Sequence, residues 1–350
     1  MATTDVIAAA NPKGRSWPRM AAWTLVGVLV SGALVLIVLE GMVRVFWPQR
    51  AQEDWVAPDA RYGHLYKKEG HFRYPFPGSD YVMDMRTNSL GFRDDEPEPG
   101  KPGARTVLFL GDSYTMGFGI DVDERFDRRL ARLCRQNGAE FRFINTGVDG
   151  WGTVHETRYA EDHFDSLRPD IVVLTFCEND PYDDASFLEN EGPTKVESGR
   201  VRLFLRSHSQ LYRFVYVLRW LWGHGEEVRQ LGVGEKRAET EDPAAAIAIP
   251  EELWQQSLRR LRAFHEAFLR FNPRGVLLVQ ASAPTSSDVR GHLAGLTNGK
   301  DLFYVDLGGP VGALTMRERR LAHDPHWSLM VHEISARALH DRIAELPRPE

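Results

Sequence analysis

The sequence predicts an α/β protein: a parallel sheet covered by helices on both faces, carried behind an N-terminal transmembrane helix. Two observations predict it. The first is a series of short apolar runs alternating with segments of helical period: TVLFL from Thr106, FRFINTG from Phe141, DIVVLTF from Asp170, GVLLVQAS from Gly275 and LFYVDLG from Leu302. The first, third and fourth are nearly continuous in hydrophobicity, as strands buried on both faces of a parallel sheet must be. The second is the charge-free run from Ala21 to Leu39, about long enough to cross a bilayer as a helix.

Taken in order, Lys13, Arg15 and Arg19 precede the apolar run, Glu40 and Arg44 follow it, and Trp17, Trp23 and Trp47 flank its ends. The positive bias predicts a cytoplasmic tail over 1–19, an anchor with its flank over 20–47, and everything beyond on the far side of the membrane, periplasmic or extracellular. A cleaved signal peptide is the rival reading. Its small-residue patch, Ser31-Gly32-Ala33, lies inside the run with more apolar residues after it, so an uncleaved anchor is expected. Residues 48–104 read as an extracytoplasmic linker whose Tyr62, Tyr66, Phe72, Tyr74, Phe76 and Tyr81 pack on the main body. Within it NSLGFRDDE (Asn88, Gly91, Arg93, Asp94) reads as a fastening turn, and EPEPGKPG as an extended connector.

The main domain is expected over 105–346. After its first strand, VDERFDRRLARLCRQNG is a helix with Phe126, Leu130 and Leu133 on one side, and a second helix runs from about Val154 through Phe164. The rhythm is interrupted over about 184–250. There LFLRSHSQLYRFVYVLRWLW offers Leu211, Phe214, Val215, Leu218, Leu221 and Trp222 as an apolar helical face, which suits a lid, a membrane-surface helix or plain packing. The polar, small-residue stretch from Gly223 to Pro250 reads as loosely ordered. A strong helix then resumes with Leu258, Leu261, Phe264 and Phe268 on the core side and His265 on ordinary helix surface.

A net charge of −6 over 350 residues leaves no general basic footprint, so a nucleic-acid partner is not expected. Two cysteines, Cys134 and Cys177, cannot staple a scaffold and read as small buried filler.

Ligands in open α/β sheets sit beyond the C-terminal ends of the strands. Three strand ends carry polar signatures: Gly111-Asp112-Ser113, Asn145 to Gly152, and Cys177 to Asp180. A fourth, His323 to Ser328, precedes the final helix. Ser113 is the candidate nucleophile, His326 its base, and Asp324 the carboxylate that orients the imidazole. The Ser113 and Gly150 N–H groups and the Asn179 side chain are candidate donors to an oxyanion. Asp112, Asp180 and His323 are expected to support the site, with Asp112 holding the turn. A rival arrangement uses Asp112, Asp180, His323 and His326 as metal ligands of a phosphoesterase, although no compact ligand spacing supports it. No metal or cofactor is expected in the leading reading.

As an ordered set these blocks resemble the SGNH, or GDSL-like, hydrolase superfamily, and the NSLGFRDDE lead-in resembles that of membrane-anchored bacterial members. GDSYTMG resembles the nucleophile block, with Tyr114 where the motif name has leucine. Asn145 to Gly152 resembles the block supplying the oxyanion glycine, here Gly150. ENDPYD resembles the Gly-x-Asn-Asp block, with Cys177 in place of its glycine, and DPHWS resembles the final Asp/His block. The usual Asp-x-x-His spacing would put the acid at 323, which is His323 here; Asp324 stands two before His326, as in some acyltransferase-like relatives. Val331 replaces a common glycine, which leaves His332 a structural role. The resemblance implies a three-layer α/β/α flavodoxin-like fold and acyl-enzyme chemistry on an ester. The expected substrate is an O-acyl ester, of small acyl group, on a cell-envelope glycan or lipid. O-acyl transfer to an envelope polysaccharide and a non-catalytic envelope scaffold are the alternatives.

Overall fold

The computed structural model describes residues 17–48, 55–76, 79–101, 103–190, 192, 201, 204–205, 208–223, 249–322 and 324–347. The start of the expected cytoplasmic tail, the 224–248 part of the insertion, and His323 lie outside the described residues. The chain divides into two units: residues 1–50 with 200–219, and residues 51–199 with 220–350.

Helix α1 (Trp17–Phe46) belongs to the first unit. An 18-residue window within Arg19–Phe46 has a mean hydropathy of 2.5 and no part of it is buried. Among the described residues it is the one helix long and apolar enough to cross a membrane; length and composition alone would also suit a signal sequence.

The larger unit opens with two antiparallel hairpins, β1 (Val56–Asp59) with β2 (Gly63–Tyr66) and β3 (His71–Pro75) with β4 (Val82–Arg86). Trp55, Tyr66, Met83, Met85 and Phe92 from this stretch are buried in the same apolar cluster as the sheet residues Leu108, Leu110 and Leu174. Then follow β5 (Arg105–Gly111), α2 (Ser113–Met116), α3 (Phe126–Gln136), β6 (Phe141–Asn145), α4 (Thr153–Leu167), β7 (Ile171–Phe176) and α5 (Asp180–Glu189). Helix α6 (Gln210–Gly223), whose residues 210–219 belong to the first unit, comes next in the chain, and the larger unit continues with α7 (Glu251–Phe271), β8 (Val276–Ala281), α8 (Ser287–Ala294) and β9 (Leu302–Tyr304). Two short helices, α9 (Gly308–Gly312) and α10 (Met316–Arg319), lead into β10 (Arg320–Leu321), β11 (Asp324–Trp327) and the final helix α11 (Leu329–Glu345).

The five-stranded sheet has the order β6-β5-β7-β8-β9, every pair parallel. Successive side chains alternate faces, which explains the unbroken apolar runs. Leu108, Leu110, Val172 and Leu174 meet Tyr159, Phe164, Leu261 and Phe268 of α4 and α7 on one side. Val107, Phe109, Ile171 and Val173 meet Phe126, Leu130, Ala336 and Leu339 of α3 and α11 on the other. A flavodoxin-like three-layer α/β/α arrangement is therefore the fold, as expected.

Three details differ from the sequence reading. The segment from Val122 opens as a single 3-10 turn and α3 begins only at Phe126, so the buried series is Phe126, Leu130 and Cys134, with Leu133 half-buried. His265 is not surface: it is buried, with Nε2 3.0 Å from Asp301 Oδ1. The DPHW segment, placed by the sequence only ahead of the final helix, is strand β11, paired antiparallel with β10.

Candidate active site

Strand β5 ends at Gly111, Asp112 caps α2, and Ser113 is the first residue of that helix. The Asp112 carboxylate accepts a hydrogen bond from Tyr114 N at 3.0 Å, as an N-cap residue does. Burial pushes the Asp112 carboxyl up to about 6. Strand order places Ser113 after β5, which lies between β6 and β7, and so between the loop after β6 that carries Gly150 and the end of β7 that carries Asn179. The reversal of strand order between β5 and β7 is the topological switch point, where the sheet itself opens a crevice.

Asp324 and His326 lie two apart on β11, hence on one face of it, and this is how the Asp-x-His spacing meets. Asp324 Oδ1 accepts from the His326 backbone N at 2.9 Å and pairs with His326 Nδ1. The opposite ring nitrogen, Nε2, is 2.7 Å from Ser113 Oγ. With Nδ1–H donating to the carboxylate, Nε2 is left to accept the serine proton. Burial disfavours the charged ring, but the Asp324 carboxylate outweighs it and holds His326 above the ordinary imidazole value of 6.5. Trp327 Nε1 donates to Ser282 O at 2.6 Å and fixes the strand to the loop after β8.

The imidazole is flanked by two rings, Tyr114 at 4.7 Å and Phe118 at 5.1 Å between centroids. Phe118 in turn packs on Tyr74 and Phe76, so the β3 hairpin braces the wall of the site. Sequence reasoning missed these rings. No helical spacing announces them: Tyr114 lies in α2, and Phe118 follows the left-handed Gly117 that ends it.

The remaining expected residues are placed as follows. Asn179, the residue before α5, donates from Nδ2 to Asp183 at 2.5 Å, which engages one of its two amide hydrogens. Gly150 sits in the β6–α4 loop with φ of +76°, a left-handed conformation that favours glycine. Asp180 accepts from Thr153 Oγ1 at 2.9 Å and Cys177 N at 3.1 Å, tying β7 to α4. Asp112, Cys177 and Asp180 bring one potential ligand atom each within 4.8 Å of one another, all buried. His326, which the metal reading needs, turns its two ring nitrogens to Ser113 and Asp324 instead. Both cysteines are buried and free, as the filler reading expects, and Cys177 Sγ accepts from Ser282 Oγ at 3.0 Å. His332 is buried against Phe126, accepts from its backbone N at 3.3 Å, and is pushed by burial down to about 3.

Two further groups steady the turn that carries Ser113. Asn145 Nδ2 donates to Thr115 O at 2.9 Å, and its Oδ1 accepts from Gly147 N at 2.9 Å. A Cβ on Gly147 would lie 2.4 Å from Met116 N and 2.7 Å from Thr115 C, both backbone atoms that cannot rotate away. Gly147→Ala is accordingly expected to displace α2, lower kcat and cost about 1–3 kcal/mol, as overpacking does. Paired thermal melts and ester assays check this; a variant with wild-type melting and turnover would show that the turn yields.

A serine bonded to an imidazole bonded to a carboxylate, at the switch point of a five-stranded parallel sheet, is the arrangement of a serine ester hydrolase. The chain belongs to the GDSL-like lipase/acylhydrolase family, whose model matches residues 109–332. It is an esterase of the SGNH class. A search of curated proteins returned no match. Among solved structures, the chain is similar to a Clostridium thermocellum family 3 carbohydrate esterase (16% identity, 69% of this chain and 97% of that one, TM-score 0.41). It is also similar to AlinE4, an SGNH-hydrolase family esterase (16%, 71% and 100%, TM-score 0.37), and to a lipase/acylhydrolase from Enterococcus faecalis (14%, 70% and 99%, TM-score 0.39).

Proposed function

We propose that Ser113 is the nucleophile of this esterase, His326 its general base and Asp324 the residue that orients the base. The observation that carries the reading is the 2.7 Å approach of Ser113 Oγ to His326 Nε2, continued through Nδ1 to Asp324. His326 takes the hydroxyl proton as Ser113 Oγ attacks the ester carbonyl. The Ser113 and Gly150 N–H groups and the second amide hydrogen of Asn179 receive the oxyanion. His326 then returns the proton to the leaving alcohol, and water, deprotonated by the same imidazole, releases the acid and frees the serine.

The substrate we infer is an O-acyl ester, of small acyl group, on a cell-envelope glycan or lipid. The length and apolarity of α1 support this, as does the excess of positive charge before it, which suits a single-pass inner-membrane anchor with the body periplasmic or extracellular. A second reading replaces water with a polysaccharide hydroxyl in the last step, making the protein an O-acyltransferase. The Asp-x-His spacing of Asp324 and His326, which resembles that of some acyltransferase-like members of the superfamily, is what supports it.

The test is active-site labelling of the full chain with a fluorophosphonate, followed by aryl-ester turnover with and without glycan acceptors. The expected adduct lies on the Ser113 peptide and disappears in Ser113→Ala. Product partitioning toward acyl-glycan selects transfer over hydrolysis. Absence of any adduct in a folded protein would leave the scaffold reading standing, and chelator-sensitive turnover retained by Ser113→Ala would overturn the serine mechanism.

A further inference from the structure

We propose that helix α6 is an interfacial membrane helix, clasped by Glu40 to the end of the α1 anchor. The proposal rests on α1 being a retained membrane helix, as inferred above. It adds a second contact with the bilayer, made by the Gln210–Gly223 segment.

The clasp is a helix cap supplied from another element. The first N–H groups of a helix have no partner within it. Here Glu40 Oε1 accepts from Gln210 N and Glu40 Oε2 from Leu211 N, both at 2.8 Å. Oε2 also accepts from Ser209 Oγ at 2.8 Å, and that hydroxyl oxygen in turn accepts from Tyr212 N at 3.0 Å. Arg44, one turn along α1, donates to Glu40 Oε1 at 2.8 Å and to His208 O at 3.0 Å. A carboxylate at this end of α6 also meets the positive end of its dipole. Trp47 and Phe214 add a ring contact at 6.2 Å.

The position of Glu40 fixes the depth. The charge-free stretch between Arg19 and Glu40 is Met20 to Leu39. At 1.5 Å per residue it spans about 30 Å, the thickness of the hydrocarbon core. Glu40 and Arg44 therefore mark one edge of that core, and the N-terminus of α6 starts there. At 14 residues, α6 is about 21 Å long and cannot itself span the bilayer. Phe214 and Val217 are half-buried on one flank of the helix. Leu211, Val215, Leu218 and Trp222 follow at intervals of four, three and four and so form one stripe, which leaves Val215 54%, Leu218 48% and Trp222 90% exposed, with Arg219 and then Tyr216 round one flank. An apolar stripe with Trp, Tyr and Arg at its margins is the composition of a helix lying in the headgroup region.

The test uses the full chain reconstituted in phosphatidylcholine–phosphatidylglycerol bilayers. A polarity-sensitive fluorophore is placed at Leu218→Cys, with Leu29→Cys in the middle of α1 and Arg274→Cys on the catalytic body as references. Unmutated protein controls for labelling of the buried Cys134 and Cys177. Quenching is read with lipid nitroxides near the headgroup and near the chain end, and with aqueous iodide. Expected are deep quenching at 29, iodide quenching at 274, and stronger shallow than deep quenching at 218 with protection from iodide. Deep quenching at 29 with no lipid quenching at 218 overturns the proposal and keeps the anchor; iodide protection at 218 would then indicate a lid or a second copy as the cover. No lipid quenching at 29 overturns the anchor reading and this proposal with it. In Glu40→Ala, shallow quenching at 218 is expected to fall at least about twofold, because losing a helix-capping group shifts the helix–coil balance several-fold. Unchanged quenching at 218 in that variant, with 29 still deep, overturns the clasp.

Discussion

Asp324→Asn is expected to lower ester turnover by about 10⁴ while leaving the fold intact. The reason lies in the proton on His326. As a carboxylate, Asp324 only accepts, so His326 Nδ1 must carry the hydrogen and Nε2 is free to take the Ser113 proton across 2.7 Å. An asparagine amide in its place can donate to Nδ1, which moves the hydrogen to Nε2, and the base then has no lone pair facing the serine. The pH dependence gives a second signature. Because the folded-state pKa of His326 is raised above 6.5, the neutral ring, and with it kcat/KM, is gained as pH rises through that higher value. Removing the carboxylate removes the largest favourable influence on the charged ring and leaves burial, which acts the other way. The residual activity of the variant should therefore show its acid limb at lower pH than the wild type. A variant with near wild-type kcat and an unmoved limb would show that another group orients His326.

What the sequence made legible follows from how local each signal is. Asp112, Ser113 and Tyr114 interact within one turn, so their motif carries its own geometry. Asp324 and His326 were visible as a pair for the same reason. The strand that joins them was not, since β10 is only two residues long and its pairing is set by the chain around it. Arg93 read as part of a fastening turn. Its guanidinium in fact takes Gly117 O at 2.6 Å, Ile120 O at 2.7 Å and Asp84 O at 2.9 Å, and backbone carbonyls leave no mark in a side-chain pattern. Glu156 shows a further limit. A glutamate on a helix reads as surface, yet it is wholly buried on α4, and burial, then Asp112, pushes its carboxyl well above the ordinary value. Nothing local distinguishes it from a solvated residue; only the three-dimensional position of α4 does.

Arg125→Met is expected to destabilise the catalytic body by about 3–5 kcal/mol, the cost of stranding a buried charge. Arg125 is fully buried. Its guanidinium makes a two-pronged pair with Asp127, at 2.6 and 2.7 Å, and reaches Asp94 at 3.1 Å. It also donates to Arg93 O at 2.6 Å, which links it to the guanidinium that holds the carbonyls after α2. Methionine keeps much of the volume and removes every donor, leaving Asp127 buried without its counter-charge. Burial opposes the Asp127 carboxylate, but Arg125 outweighs it and holds the group below 3.8. Stability from this pair is therefore fully present above 3.8 and is lost as pH falls through the lower folded value. The gap between wild type and variant in urea midpoint should be widest near neutrality and narrow in acid. Arg125→Met combined with Asp127→Asn should be less destabilised than the two single changes summed, because no charge is then stranded. Since Arg93 loses its support on the side of the nucleophile turn, kcat should fall in the single variant even where it remains folded. Additive losses with unchanged kcat would show instead that the two arginines act independently and that the turn after Ser113 holds its shape without them.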